Sequence, residues 1–190
     1  MITGCLTNFL IVKRLFFALT LPATVRELLL RASPQKNHFG IRFTSLENLH
    51  ITTHFLGAIS EDNLPDIIRK AETLAASSPP FHLQFESFKM IRKEKRAVMI
   101  WAEFKEEPLY ESLCMDLRKL FPTDENRKPL PHATIARIKQ LRQLPFELPH
   151  VKPFSMEVAS LALMESKLDP SGASYEMIAE WKLKGSLSSR

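Results

Sequence analysis

Two short segments of this sequence resemble each other, and their spacing limits the folds that the chain can adopt. Each contains His-x-Thr with an apolar residue at x: Leu49–Thr53 reads LHITT and Pro131–Ile135 reads PHATI. The two histidines, His50 and His132, stand 82 positions apart in a chain of 190 residues. Both segments have the composition of β-strands. This spacing predicts an internally duplicated fold with one motif strand in each half.

The His-x-Thr spacing places a histidine and a threonine on one face of each predicted strand. Residues i and i+2 of a strand point the same way and lie about 6.6 Å apart. His50 and Thr52 therefore share a face, as do His132 and Thr134. If the strands lie side by side, two imidazoles and two hydroxyls converge, which suits acid–base chemistry on a phosphodiester. The alternative is two unrelated strand histidines, each followed by a threonine chosen for its β-propensity.

Apolar periodicity divides the rest of the chain into short elements. It predicts strands at 14–20, 39–43, 49–56, 81–90, 97–104, 131–138, 156–165 and 174–183. It predicts helices that begin at Pro22 and near Ser60, and a third helix over 108–120. Hairpins outnumber strand–helix–strand crossovers, and the last hairpin turns at Asp169–Gly172. We therefore expect an α+β fold with mainly antiparallel sheets.

Composition and charge exclude several classes of protein. Apolar residues make up 45% and charged residues 25%, as in ordinary globular domains, which excludes general disorder. Two cysteines, Cys5 and Cys114, cannot build a disulfide framework, and their scarcity favours a cytoplasmic location. No stretch has the roughly 18 apolar residues that span a bilayer. The net charge of +5 suits an anionic ligand such as RNA, although proteins without one carry as much.

The two ends of the chain are expected to add little to the core. Residues 1–12 are interpreted as an extension ahead of the first strand, and Val12 could be the translation of an alternative initiator codon. We expect residues 13–184 to form one domain and Gly185–Arg190 to fray. A signal peptide is disfavoured because Pro22 breaks the apolar run and no clear cleavage site follows.

The fuller strings around both motifs resemble one enzyme family. LHITTHFLG at Leu49–Gly57 and PHATIAR at Pro131–Arg137 are similar to the paired motifs of the 2H phosphoesterase superfamily. They resemble most its RNA 2′,3′-cyclic phosphodiesterase branch, once described as 2′-5′ RNA ligases. Further similarity lies at the start and near the end of the chain, in Lys13–Leu19, Glu165–Leu168 and Gly172–Glu176. The resemblance covers about residues 13–184.

The resemblance implies a fold and a reaction. The fold is bilobal α+β, with two mainly antiparallel sheets facing across a central cleft and helices outside. The reaction opens a 2′,3′-cyclic phosphate at an RNA end, such as that of a tRNA half, to a 2′-phosphate. Joining of RNA ends in a 2′-5′ linkage is a side activity. Neither a metal ion nor another cofactor is required, and we expect a monomer that does not associate with membranes.

The resemblance also implies roles for five residues. His50 would donate a proton and His132 would accept one. Thr52, Thr134 and Arg137 would hold the phosphate. Strand parity, however, puts Arg137 on the opposite face from the second motif, so its role requires either a bulge or an earlier end of the strand.

Two residues near the first motif have more than one interpretation. Phe43 could stack on the terminal base or pack in the core. His54 shares parity with His50 and Thr52, so we expect it to line the cleft further out. In a strand, His50 and His54 lie about 13 Å apart, too far to share a metal ion.

The role of a basic hairpin has two interpretations, and the protein has two alternative functions. The hairpin could guide an RNA backbone or be a solvated turn, and its basic residues are Lys89, Arg92, Lys93, Lys95 and Arg96. A phosphodiesterase that acts on small nucleotides is the alternative within the superfamily, and substrate competition would separate the two. A non-catalytic RNA-binding module is the alternative from another class. Both intact His-x-Thr pairs count against it, because a pure binder does not need two histidines.

Overall fold

The computed structural model of this protein describes residues 11–33, 39–139, 141, 144–169 and 172–186. Within them the chain forms nine strands and three α-helices. The strands are β1 Val12–Thr20, β2 Ile41–Phe43, β3 His50–Ser60, β4 Phe81–Lys93, β5 Arg96–Phe104, β6 His132–Ile138, β7 Ser155–Val158, β8 Ser160–Asp169 and β9 Gly172–Lys182. The helices are α1 Ala23–Ala32, α2 Leu64–Ser77 and α3 Pro108–Leu120.

The nine strands form one antiparallel sheet. Eight of them follow the order β7-β4-β5-β6-β3-β1-β8-β9, and the ninth, β2, pairs with β6. The order falls into two halves, one containing β1, β3, β8 and β9 and the other containing the remaining strands. The halves meet at the two motif strands, β3 and β6, where Ile51 pairs with Ala133. The predicted α+β fold with antiparallel strands is confirmed, and the two predicted sheets are joined at this pair.

The two faces of the sheet differ in how they are covered. One face carries the main core, to which both halves contribute, and α2 and α3 pack against it through buried residues such as Ile67, Ala71, Leu113 and Leu117. The other face carries the histidines and threonines of the two motifs. A smaller apolar cluster also lies there, formed by Phe16, Ala18, Ala162 and Met164 with Tyr175 packed against it.

The strand that we predicted over 156–165 is two strands. β7 ends at Val158 and pairs with β4, whereas β8 begins at Ser160 and pairs with β1 and β9. The carbonyl of Ala159, between them, accepts a hydrogen bond from the Leu183 N–H at 2.9 Å. The chain therefore passes from one half to the other within this stretch. Alternation predicted extended backbone here, but it does not show that the pairing partner changes.

The end of the described chain is docked on α2. The Gly185 N–H donates to the Ser78 carbonyl at 2.9 Å, and a side chain at Gly185 would overlap the Ser77 carbonyl. Leu183 is buried. The prediction that the tail frays from Gly185 is therefore wrong at this residue, and residues 187–190 lie outside the described residues.

The other boundaries differ modestly from the prediction. α2 begins at Leu64 rather than near Ser60, because a 3-10 turn over Glu61–Asn63 comes first. β1 begins at Val12, which is exposed and adds little to the core, and residues 1–10 of the predicted extension lie outside the described residues. Among the described helices, the longest has 14 residues, and none combines the length and apolar character of a membrane span.

Candidate active site

Each motif strand carries a β-bulge one residue after its threonine. The pairing of β3 with β1 skips Thr53, and the pairing of β6 with β5 skips Ile135. Because a bulge inserts one residue, the side chains beyond it lie on the face opposite to that expected from simple alternation. Both bulged residues are buried, at 5% and 3% exposure. The two motif strands therefore share one backbone irregularity at the same position of the motif.

The bulge at Ile135 brings Arg137 to the face that carries the second motif. In β5, the partners of His132, Thr134 and Arg137 are three alternate residues, Glu103, Trp101 and Met99. Alternate residues of a regular strand point to one face, so their partners do as well. Of the two explanations that strand parity left open for Arg137, the structure shows the bulge.

The two motifs lie side by side where the halves meet. In an antiparallel pair the strands run in opposite directions, so the Ile51–Ala133 pair has His50 toward Thr134 on one side and Thr52 toward His132 on the other. The two histidines are therefore diagonal neighbours. Burial lowers the pKa of His50, and the charges of Arg137 and His132 lower it further.

Both histidines are oriented by the same hydrogen bond. Nδ1 of His50 lies 2.8 Å from the carbonyl oxygen of Asn48, and Nδ1 of His132 lies 2.7 Å from the carbonyl oxygen of Leu130. A carbonyl can only accept, so Nδ1 carries a proton in both rings. The neutral rings then present Nε2 as the nitrogen that can take up or release a proton.

His50 lies among aromatic rings. Its ring centroid is 5.0 Å from that of Phe16 and 4.8 Å from that of Tyr175, and the planes of the His50 and Tyr175 rings lie at 82° to each other. Burial in this apolar surrounding lowers the pKa of His50 to about 4, and the Arg137 and His132 charges act in the same direction. The hydrogen bond to the Asn48 carbonyl opposes this shift only in part. The free protein therefore holds His50 neutral at neutral pH.

His132 has a different surrounding. Its ring stacks on the Trp101 indole at 3.6 Å between centroids and 21° between planes. Burial lowers the pKa of His132, while the Leu130 carbonyl and the Glu103 carboxylate oppose the shift. His50 has no carboxylate among the principal causes of its shift. His132 thus has one stacked aromatic ring and a nearby carboxylate, whereas His50 has two aromatic rings.

Asn48 links the loop before the first motif to the last hairpin. Its Nδ2 donates to the Ala173 carbonyl at 3.4 Å, and its Oδ1 accepts from the Tyr175 N–H at 3.3 Å. The side-chain amide thus bonds to β9 as a strand backbone would. Because the Asn48 carbonyl also orients His50, one residue fixes both the histidine and the tyrosine that packs on it.

The backbone carbonyls at the two bulges are bonded by side-chain hydroxyls. The Tyr110 hydroxyl of α3 donates to the Thr52 carbonyl at 3.0 Å, and the Thr44 hydroxyl donates to the Thr134 carbonyl at 2.7 Å. Each hydroxyl bonds the carbonyl that directly precedes a bulged residue. Buried carbonyls without partners are costly, so these hydroxyls stabilise the bulges and hence the faces on which the site residues lie.

Two sequence-predicted residues do not reach the site face. His54 is 2% exposed on the core face, and its Nε2 donates to the Phe121 carbonyl at 2.7 Å. Burial lowers the pKa of His54. The expectation that it lines the cleft is wrong, because the bulge at Thr53 reverses its face. Phe43 pairs with Ala136 and packs against the main core, so it lies on the same buried face.

The basic hairpin joins β4 and β5 through a turn at Glu94 and Lys95, both with positive φ. Lys89 pairs with Trp101 and bonds the Glu103 carboxylate at 2.9 Å. The hairpin could guide an RNA backbone or be a solvated turn, and both interpretations remain. Among the described residues, no three His, Cys, Asp or Glu side chains are grouped closely enough to hold a metal ion.

Sequence reasoning missed the side chains that support the histidines. Asn48 gives one local signal, a polar residue two positions before a motif histidine. Tyr110 and Tyr175 give none, because they lie 58 and 127 residues from the groups they bond. Trp101 was assigned to a strand but not to the site, since periodicity alone does not reveal which strand pairs with β6.

Comparisons with known proteins show which proteins this chain resembles. The family model described as LigT like Phosphoesterase matches residues 19–101, which include the first motif and end before the second. An RNA 2′,3′-cyclic phosphodiesterase of Methanocaldococcus jannaschii is 28% identical over 176 residues, covering 88% of this chain and 99% of that protein. An RNA 2′,3′-cyclic phosphodiesterase of Thermus thermophilus is 31% identical over 186 residues, covering 90% of this chain and 91% of that protein.

Solved structures agree with the sequence comparisons. A crystal structure of a Thermus thermophilus protein superposes with a TM-score of 0.74 at 27% identity, covering 90% of this chain and 98% of that chain. The overlap thus includes both halves of the sheet. The chain therefore belongs to the LigT-like phosphoesterase family of the 2H phosphoesterase superfamily.

Proposed function

We propose that this protein is a hydrolase that opens 2′,3′-cyclic phosphates at RNA ends to 2′-phosphates, without a metal ion. The observation that carries the proposal is the pair of diagonal histidines, each with Nδ1 bonded to a carbonyl and Nε2 left for proton exchange. Relatives named RNA 2′,3′-cyclic phosphodiesterase support the choice of substrate.

The reaction needs one proton acceptor and one proton donor. Water attacks phosphorus opposite the 3′ oxygen, a new P–O bond forms, and the bond from phosphorus to the 3′ oxygen breaks. His132 accepts the proton of the water and His50 donates a proton to the departing 3′ oxygen. After turnover the two protonation states are reversed, and exchange with solvent restores them.

The free site does not favour a protonated His50. Burial and neighbouring positive charges lower its pKa to about 4, whereas Glu103 partly opposes the shift at His132. A bound cyclic phosphate carries a negative charge, which raises the pKa of a nearby imidazole. The donor role of His50 therefore depends on the substrate to raise its pKa. The opposite order is the competing assignment, and histidine pKa values measured with bound 2′-nucleotide would separate the two.

The threonines and the arginine would hold the phosphate oxygens. Thr52 and Thr134 share a face with the histidines and carry hydroxyl donors. Arg137 lies on that face as well, and its planar guanidinium matches two oxygens of a phosphate. Hydrogen bonds to these oxygens would strengthen as charge builds up in the transition state.

A 5′-hydroxyl in place of water would give a different product. The same proton transfers would then join two RNA ends through a 2′-5′ linkage, and the two fragments of a cleaved tRNA provide such ends. We propose this ligation as a side activity, because water competes with the hydroxyl at every encounter.

The deciding experiment is incubation with a short RNA that ends in a 2′,3′-cyclic phosphate. We expect a 2′-phosphate product at an unchanged rate in excess EDTA, because two imidazoles supply the proton transfers. A 3′-phosphate product would reverse the assignment of the leaving oxygen. Loss of turnover on chelation, restored by zinc, would overturn the metal-free mechanism. Faster opening of a small cyclic nucleotide in direct competition would favour the nucleotide phosphodiesterase instead.

A further inference from the structure

Part of the basic hairpin lies on the face that carries the second motif. Met99 of β5 pairs with Arg137 of β6 and with Ile91 of β4, so these three residues share that face. Lys93 comes two residues after Ile91 in β4 and points the same way. Arg96 is the cross-strand partner of Lys93. Lys93 and Arg96 are therefore a pair of cations on the histidine face.

A second pair of cations lies on the same face, at β6 and β2. Arg42 of β2 is the cross-strand partner of Arg137. Its neighbours Ile41 and Phe43 pack against the main core, which leaves Arg42 on the opposite face, where it is exposed. Like charges at directly opposite positions of a sheet repel, and an anion between them removes the repulsion. The Arg42–Arg137 pair therefore favours a bound anion.

The two pairs form one row across the second half of the sheet. We call it the cationic row, and its members are Arg42, Arg137, Arg96 and Lys93. They lie on β2, β6, β5 and β4, which are successive neighbours in the sheet. Three spacings of about 4.8 Å between strands give the row a span of roughly 14 Å. One phosphate contacts only part of such a row, so the row fits a ligand that carries several phosphates.

Carboxylates do not neutralise the hairpin end of the row. Lys89, earlier in β4, bonds the Glu103 carboxylate and so belongs to the surroundings of His132. Lys93 and Arg96 are exposed, and within the described part of the chain neither forms an ion pair. The turn between them adds Glu94 and Lys95, whose charges cancel. The hairpin therefore presents net positive charge on the histidine face.

We propose that the cationic row binds the internucleotide phosphates upstream of the cyclic end, so that the RNA strand leaves the histidines across β6, β5 and β4. The inference rests on the proposed function, which assigns Arg137 to the cyclic phosphate. It makes single-stranded RNA, rather than a small nucleotide, the ligand of the site. A cationic surface that follows the backbone binds single strands with little sequence preference. Binding through phosphates releases counterions, so it weakens as the salt concentration rises.

The test compares a substrate that has upstream phosphates with one that has none. The substrates are a short RNA and a mononucleotide, both ending in a 2′,3′-cyclic phosphate. The variants are the double variant Lys93→Gln/Arg96→Gln and the single variant Arg42→Gln. The matched control is Arg69→Gln/Lys70→Gln, which removes two positive charges from α2, on the opposite side of the sheet.

We expect Lys93→Gln/Arg96→Gln to raise KM for the short RNA roughly 10- to 30-fold at about 0.1 M salt, since each lost phosphate contact costs about fivefold there. Arg42→Gln should raise it roughly fivefold. In both variants kcat, and KM for the mononucleotide, should change far less. The control should match the wild type on both substrates. An unchanged KM for the RNA in the double variant, or an equal rise for both substrates in either variant, would overturn the proposal.

A binding measurement separates this inference from the proposed reaction. Titration with the same RNA ending in a 2′-phosphate needs no turnover. The slope of log Kd against log salt should be smaller by about 1.4 in Lys93→Gln/Arg96→Gln, which is about 0.7 for each lost phosphate contact. A smaller slope supports the cationic row even if the wild type opens no cyclic end. If the wild type opens cyclic ends and the slope is the same in both proteins, only the cationic row is wrong.

Discussion

The two motif strands, β3 and β6, have the same backbone and different surroundings. Each carries His-x-Thr, a bulge one residue later, a carbonyl that orients the histidine and a hydroxyl that bonds the bulge. Around His50 the neighbours are Phe16 and Tyr175, whereas around His132 they are Trp101 and Glu103. The backbone pattern is thus alike in the two strands, whereas the side chains around the two histidines differ.

This difference shows how a duplicated site can hold two unequal groups. An acid–base pair requires opposite protonation states, and two identical environments would give both histidines the same proton affinity. The aromatic surrounding lowers the pKa of His50 strongly, and Glu103 limits the shift at His132. The shared backbone orients both histidines alike, while the unshared neighbours make His50 harder to protonate than His132 in the free site.

The largest expected effect is the loss of either histidine. His50→Ala and His132→Ala should each lower the single-turnover rate about 10²- to 10⁴-fold, the usual contribution of one general acid or base. The double variant should lose less than the product of the singles, because the two act as a unit. The control is His82→Ala, an exposed histidine of β4. More than about a tenth of the wild-type rate in either single variant would disprove the two-histidine mechanism.

The comparison of the two strands also separates what the sequence reveals from what it does not. The common face of His50 and Thr52, and that of His132 and Thr134, could be predicted because these residues precede the bulges, where alternation holds. Beyond the bulges, alternation puts both His54 and Arg137 on the wrong face. Thr53 and Ile135 are ordinary strand residues, so nothing in their chemistry marks an inserted position.

The supporting contacts were beyond prediction for a different reason. They join residues that are far apart in the sequence, such as Asn48 and Tyr175, and depend on where the last hairpin lies relative to the first motif strand. The fold class, by contrast, followed from short alternating strands and tight turns. Local periodicity therefore predicted the elements, while the faces beyond the bulges and the neighbours of each histidine required the structure.

A second effect, smaller than the first, tests the role of the Arg137 guanidinium on the second motif strand. Arg137→Ala should lower kcat/KM roughly 10- to 150-fold, as the loss of a charged hydrogen bond implies. Arg137→Lys should recover only part of the loss, because an ammonium keeps the charge without the planar pair of donors. Arg69→Ala, on the exposed surface of α2, is the control. Equal activity of Arg137→Ala and the wild type would show that the bulge in β6 serves packing alone.

A third prediction compares the hydroxyls that bond the two bulges. Tyr110→Phe leaves the Thr52 carbonyl without its partner and should lower the free energy of unfolding by about 1–3 kcal/mol. Thr44→Val should cost less, because Thr44 is half-exposed, whereas Tyr110 is 2% exposed, and water can then replace the lost bond. Urea unfolding of both variants measures the difference. A larger loss in Thr44→Val would mean that the β6 bulge, not the β3 bulge, depends on its hydroxyl.

The smallest expected effect is a difference in how stability depends on pH. Burial lowers the pKa of His50 from 6.5 to about 4, so between these values the unfolded chain binds a proton that the folded chain does not. The contribution of neutral His50 to the free energy of unfolding is fully present above about pH 6.5 and falls as the pH drops toward 4. Over pH 7 to 5 the loss is about 1–2 kcal/mol. His50→Asn should remove this part of the slope, measured by urea unfolding at pH 7, 6 and 5. His132→Asn should remove less, because Glu103 opposes the shift there. Equal slopes in the two variants would show that the two surroundings hold the histidines alike.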